Sequence, residues 1–199
     1  MKLISTLALT VCIAGIAAGP VLADYNAGLK AYQKRDYALA LKEFKAAGDK
    51  NSHYDLGVMY FKGIGIKADR LQGLEWFKKA AEQGHANAQF ILGTLYDKGE
   101  DVIQDRAVAA KWYRKAAEQG HAQAQFNLGL MYTNGEGVEK DRKEAVVWLK
   151  KAARQGHLGA GKLLGVMGEE VPKAARPKTA KGKTAHPVAP GALPPGHPH

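Results

Sequence analysis

One cysteine and, across the middle of the chain, no proline at all are the first things missing from these 199 residues. The cysteine, Cys12, lies in an apolar N-terminal stretch that carries a single cation, Lys2, and ends in Gly19-Pro20 and the small-residue exit Val21-Leu22-Ala23. This stretch reads as a secretory signal peptide cut after Ala23. It is shorter than the roughly 20 apolar residues of a membrane span and is broken by Gly-Pro. Thr10 and Val11 match poorly the small residues that precede a lipidated cysteine. A chain beginning at Asp24 has no disulfide, no thiol nucleophile and no thiolate metal ligand. It has one serine, Ser52, placed before a helix, and neither Gly-x-Ser-x-Gly nor Ser-x-x-Lys occurs, so serine hydrolase chemistry, β-lactamase-like chemistry included, has no foothold. No second apolar run approaches a membrane span. The expected product is a soluble, monomeric periplasmic or secreted protein.

Acid is missing from the C-terminus. From Val171 to His199 there are seven of the eight prolines and five cations (Lys173, Arg176, Lys178, Lys181, Lys183) without one Asp or Glu. Residues 168–199 are therefore expected to be a disordered basic tail, and its part from Val171 to His199 carries five uncompensated cations, about half of the formal net charge of +10. Such a tail is expected to be a flexible solubilising extension; the alternative is attraction to anionic envelope polymers, peptidoglycan among them, that weakens as salt rises. Nucleic acid is not an expected partner, because the basic residues lie largely in the tail of an exported chain.

What is present in quantity is repetition. Trp76, Trp112 and Trp148 are spaced thirty-six residues apart, and a whole set of residues recurs with them. Leu56-Gly57 and Tyr60 return as Leu92-Gly93 and Tyr96, then as Leu128-Gly129 and Tyr132. Asp69-Arg70, Lys79-Ala80-Ala81 and Gly84-His85 return twice at the same interval. A fixed period of this length marks a supersecondary unit that buries its apolar face only when neighbours stack on it. Within a unit Phe90, Leu92, Leu95 and Tyr96 have helical spacing, as do Trp112, Tyr113, Ala116 and Ala117, so each unit reads as helix, loop, helix. Gly63-x-Gly65 and Gly135-x-Gly137 supply the left-handed turn between the helices, with Asp101 in place of the second glycine in the middle unit. Asp69, Asp105 and Asp141 stand at the expected N-cap of the second helix, and Asp141 with Glu144 has capping-box spacing.

The pattern Leu-Gly-x-x-Tyr-x-x-Gly-x-Gly-Val-x-x-Asp, then Ala-x-x-Trp-x-x-Lys-Ala-Ala-x-x-Gly, complete from Leu128 to Gly156, resembles the Sel-one-like repeat, a longer relative of the tetratricopeptide repeat. Lys79 to Phe90 and Lys115 to Phe126 are identical at eleven of twelve positions. The resemblance implies an all-α fold, an α-solenoid of stacked antiparallel helix pairs with 36-residue repeats and about nine helices, gently curved with the first helices on the concave face. The expected organisation is a signal peptide over 1–23, a tetratricopeptide-like N-terminal capping repeat over 24–50, three repeats over 51–157 (51–85, 86–121 and 122–157), a C-terminal capping helix over 158–167 and the tail. In the capping repeat Gly48 stands thirty-six residues before Gly84. Gly73 replaces the alanine seen at Ala109 and Ala145, a cost of about 1 kcal/mol in helix propensity.

Candidate chemistry is thin. His85, His121 and His157 sit at equivalent positions of stacked units, on the order of 10 Å apart, too far to share one metal. They read as turn residues. The glycine pairs lack the strand and third glycine of a dinucleotide loop, and the tryptophans read as inter-helix core. No isolated carboxylate pair offers general acid–base chemistry. No catalytic residue, cofactor or metal is expected, and function falls to the surface. In the related tetratricopeptide fold, positions flanking Leu-Gly-x-x-Tyr face a binding groove. Carried over, these are Tyr54, Val58, Phe61 and Lys62 in the first unit; Asn87, Phe90, Thr94, Asp97 and Lys98 in the second; and Gln123, Phe126, Leu130, Thr133 and Asn134 in the third. The resemblance thus implies a non-catalytic module that binds an extracytoplasmic protein or peptide. A glycan or peptidoglycan binder that modulates envelope enzymes is the alternative.

Overall fold

The computed structural model describes residues 24–173. The leader expected over 1–23 and most of the expected tail lie outside the described residues. Within them are nine helices and no strand: α1 (Tyr25–Gln33), α2 (Tyr37–Ala47), α3 (Lys50–Lys62), α4 (Arg70–Glu82), α5 (Ala86–Lys98), α6 (Arg106–Glu118), α7 (Ala122–Asn134), α8 (Arg142–Arg154) and α9 (Leu158–Val166). Each helix packs on the next along the chain, which makes an all-α solenoid.

Caps set the helix boundaries. Asp69, Asp105 and Asp141 N-cap α4, α6 and α8, each carboxylate accepting backbone N–H bonds from the first turn. The capping box at Asp141 is only half made, because the Glu144 carboxylate accepts instead from the Trp148 indole at 3.1 Å. In the loops the second left-handed position is Gly65 (φ 70), Asp101 (φ 58) and Gly137 (φ 69). Asp101 therefore does take the glycine conformation, and its carboxylate receives the Arg70 guanidinium at 2.5 and 3.0 Å. That contact joins one unit to the next loop. Arg106 and Arg142, the same residue of the repeated Asp-Arg pair, reach Glu136 at 3.6 Å and Glu169 at 3.2 Å.

A glycine notch governs how the two helices of a unit meet. A Cβ added to Gly57 would lie 2.5 Å from the Phe77 ring, one at Gly93 2.5 Å from Tyr113, and one at Gly129 2.8 Å from Leu149. Gly28 stands in the same relation to Phe44, also at 2.5 Å. The N-terminal unit thus repeats the packing with a shorter connection between its helices, as a tetratricopeptide-like unit would. Its register is set by Phe44, not by Gly48: α2 ends at Ala47 with Gly48 as its left-handed C-cap, whereas Gly84 lies one residue beyond the cap Gln83 of α4. Gly73 is buried, and a Cβ there would come within 2.8 Å of the Phe61 backbone nitrogen, so the missing methyl allows α4 to approach α3 closely.

The core runs along the solenoid in four clusters with the Ala-Ala pairs at its centre. Leu56, Leu92, Leu128 and Leu164 are wholly buried, each contributing roughly 1.5–3 kcal/mol. Polar groups inside are paired along the axis. Gln89 and Gln125 donate to the Ala81 and Ala117 carbonyls at 3.0 and 2.9 Å and accept from Gln119 and Gln155 at 2.7 and 2.8 Å. Tyr25 of α1 donates to Asp55, buried on α3, at 3.0 Å. The tail expected from 168 is held at its start: Glu169 also receives Lys150 at 3.3 Å, and Val171 lies against Gly161.

Trp148 is buried, but Trp76 and Trp112 are only half-buried, which corrects the reading of all three as core. Each has a lysine from the next turn over its ring, at 4.1, 4.3 and 3.9 Å for Lys79, Lys115 and Lys151.

Candidate functional site

The groove positions carried over from the repeat pattern do not share one environment. In the first unit Tyr54, Val58 and Phe61 are 0%, 2% and 4% exposed and belong to one core cluster with Leu74 and Phe77. They are packing residues, and their assignment to a binding surface is corrected. Tyr32 of α1 packs on that cluster, and the Arg70 guanidinium covers the Phe61 ring at 4.0 Å. Only Lys62 of this set keeps partial exposure.

In the second and third units Asn87, Phe90, Thr94, Asp97, Phe126, Leu130 and Thr133 are half-buried, and Lys98, Gln123 and Asn134 are exposed. Phe90 and Phe126 each commit one ring face to the histidine that closes their repeat, stacking on His121 and His157 at 4.5 and 4.3 Å, as Tyr54 stacks on His85 at 4.3 Å. The three histidines are N-caps: the Nδ1 of each accepts the backbone N–H of Ala88, Ala124 or Ala160 at 3.2 Å. Thr94 and Thr133 turn their hydroxyls to the Phe90 and Gly129 carbonyls of their own helices.

Asp97, Leu130 and Asn134 do come together. They line a cleft of about 150 Å³ between α5 and α7 with Tyr113, Asn127, Met131 and Glu136. Burial raises the Asp97 carboxyl above its ordinary range; Arg106, at 3.7 Å, pulls it back, and Glu136 raises it further. Arg106 stands between the two acids at 3.7 and 3.6 Å, longer than close ion pairs and half exposed. The wall opposite is the Tyr113 hydroxyl, which donates to Thr94 at 3.3 Å and is itself raised in pKa by burial. The cleft therefore presents a carboxylate pair, two amides, a phenol and the apolar side chains of Leu130 and Met131. That mixture suits polar peptide groups beside an aliphatic or cationic side chain.

Sequence reasoning missed Tyr113, Asn127, Met131 and Glu136. Tyr113 had a visible signal, a hydroxyl where the equivalent positions hold Phe77 and Leu149. Asn127 had another, since its equivalents are Asp55 and Ile91. Thr133 shares a repeat position with Phe61 and Asp97 yet does not line the cleft. Among the described residues no group of three or more His, Cys, Asp or Glu side chains is placed to hold a metal ion, and no helix is long and apolar enough to cross a membrane.

The family model described as Sel1 repeat matches residues 50–85, 86–121 and 122–157, more than half of the chain. Among solved structures, the chain is similar to a Sel1 repeat protein from Oxalobacter formigenes, at 37% identity and a TM-score of 0.67, over 70% of this chain and 43% of that one. It is 43% identical, with a TM-score of 0.60, to a protective antigen of uropathogenic Escherichia coli with an SLR fold, over 63% of this chain and 27% of that one. Cysteine rich protein B of Helicobacter pylori is 25% identical with a TM-score of 0.51, over 70% of this chain and 96% of that one. The chain thus spans less than half the length of the first two. No curated protein matches it.

Proposed function

The chain belongs to the Sel1 repeat family, whose fold generally mediates protein–protein interaction without catalysis, and from that premise we propose that it is an interaction module of the periplasm or cell envelope. Its partner is a protein or peptide that enters the cleft at Asp97, Asn127, Leu130, Asn134 and Glu136. The observation that carries this reading is the difference between units: the same face is closed by Tyr54, Val58 and Phe61 in the first and open between the second and third. Solenoids bind along such faces with a rigid frame and variable side chains.

The leader motif supports export, and mass spectrometry of the native protein is expected to find Asp24 at the N-terminus. The glycan alternative draws no support from the tryptophans. Trp76 has His53 stacked at 5.3 Å and Lys79 over its ring, and the other two also have a lysine over the ring, which leaves no clear face for a sugar. The test of the proposal is capture by crosslinking in the envelope followed by binding to Asp97→Lys and Leu130→Ala variants. A weakening of more than tenfold, about 1.4 kcal/mol, with unchanged helicity supports the cleft. Normal binding by both variants, with loss on deleting Val171 to His199 at every salt concentration, makes the tail the recognition element.

A further inference from the structure

His85, His121 and His157 do the same three things in three places. Each imidazole closes one repeat and N-caps the first helix of the next through Nδ1, each stacks on an aromatic ring of the first helix of its own repeat, and each lies where one repeat hands over to the next. An Nδ1 that accepts a backbone N–H carries no proton, so the neutral ring holds its hydrogen on Nε2. At His157 that Nε2 faces the Gln123 Oε1 at 3.0 Å. A protonated ring would place an N–H against the N–H it now serves, at a helix N-terminus that disfavours positive charge.

We propose that the three histidines couple successive repeats through cap and stack and that at His121 this coupling is acid-sensitive: the neutral ring holds α7 to α5, and protonation releases the cap as pH falls. The stacked aromatic faces favour the cation, but burial opposes it. His121 is pushed below its ordinary value of 6.5, with burial as the first cause and its own backbone bond as a smaller opposing one. No charged group contributes to that shift, although α5 carries Asp97 and Lys98 and α6 carries Arg106, Lys111, Arg114, Lys115 and Glu118; α7 has no charged residue. The titratable group stacked on His85 is Tyr54, with Glu82 near it in sequence; near His157 in sequence are Arg154 and Lys162. A histidine whose folded pKa is lowered contributes stability that is complete above about 6.5 and is lost as pH falls toward the folded value.

The test compares the full chain with a His85→Asn, His121→Asn, His157→Asn variant, since Asn caps helices well and does not titrate. His53 is buried in part and also lowered in pKa, so His53→Gln, the residue of the equivalent Gln89 and Gln125, is placed in both backgrounds. Denaturant unfolding at pH 7.5 and 5.0 is expected to show a loss of about tenfold or more in the folding constant of the parent and little change in the triple variant. Imidazole NMR at pH 7.5 is expected to show the Nε2–H tautomer at all three sites. A triple variant that keeps the full pH dependence, or rings protonated on Nδ1 at neutral pH, overturns the proposal. Should the triple variant not fold, His121→Asn alone is read in the same way, and an unchanged pH dependence together with an Nδ1–H tautomer at His121 refutes it.

Discussion

Two glycines at equivalent repeat positions give opposite expected responses to the same methyl group. At Gly93 a Cβ would lie 2.5 and 2.7 Å from the Tyr113 ring carbons, about 1 Å inside a normal carbon–carbon contact. Tyr113 has no room to retreat: it is buried and its hydroxyl is tied to Thr94. Overpacking of this kind costs about 1–3 kcal/mol, and in mid-helix the better propensity of alanine returns up to about 1 kcal/mol. Gly93→Ala is therefore expected to destabilise by about 1–2 kcal/mol. Gly165 holds the same place in α9, which among the described residues has no following helix packed on it, and nothing stands within 4 Å of its Cβ. There only the propensity gain remains, reduced near the helix end, so Gly165→Ala is expected to stabilise by about 0.5 kcal/mol. Guanidinium unfolding followed by circular dichroism at pH 7.5 measures both. If Gly93→Ala proves as stable as Gly165→Ala, the close approach of α5 and α6 is wrong.

Gly73→Ala follows the same logic, since its Cβ would meet the Phe61 backbone rather than a movable ring end; it is expected to lower the unfolding midpoint although alanine occupies this place in the next two units. Trp148→Ala is expected to cost about 3–5 kcal/mol, because the ring is 6% exposed and its indole is bonded. Trp112→Ala, half-buried beneath Lys115, is expected to cost about 2 kcal/mol, and the order of the two in denaturant unfolding is the check. Asp101→Ala keeps the left-handed backbone and loses the Arg70 contact, whereas Asp101→Gly loses the contact and relieves the backbone. Alanine is thus expected to be the less stable variant by about 1 kcal/mol in thermal melts.

The period of thirty-six carried the fold because a solenoid is built from one local unit copied, and local signals lie in the residues that recur. Gly57, Gly93 and Gly129 recur because each receives a side chain from the second helix; Asp69, Asp105 and Asp141 recur because each caps it. The same reasoning found Asp101 in the left-handed turn. It named Asp97, Leu130 and Asn134, which line the cleft, together with Tyr54, Val58 and Phe61, which are core, and the reason lies in the same repetition. Val58, Thr94 and Leu130 are one position in sequence, yet Val58 is buried in a cluster on which Tyr32 packs, while Leu130 lines an open cleft. Exposure at a repeat position depends on which unit stands beside it, and the end units are unlike the middle ones.

The Arg of the Asp-Arg pair makes the point at one residue. Arg70 lies over Phe61 and reaches Asp101, whereas Arg106 lies between Asp97 and Glu136. Where the facing residue is an aromatic, the arginine closes the surface with a cation–π contact. Where it is a carboxylate, the arginine makes only long, half-exposed pairs, worth little in stability and easily exchanged for a partner's cation. The repeated scaffold residue is constant, and the variable one opposite decides whether the site is core or surface. Under the proposed function, selectivity belongs to Asp97 and Glu136 rather than to Phe61, and the second and third repeats are the part of the solenoid that would meet a partner's side chains.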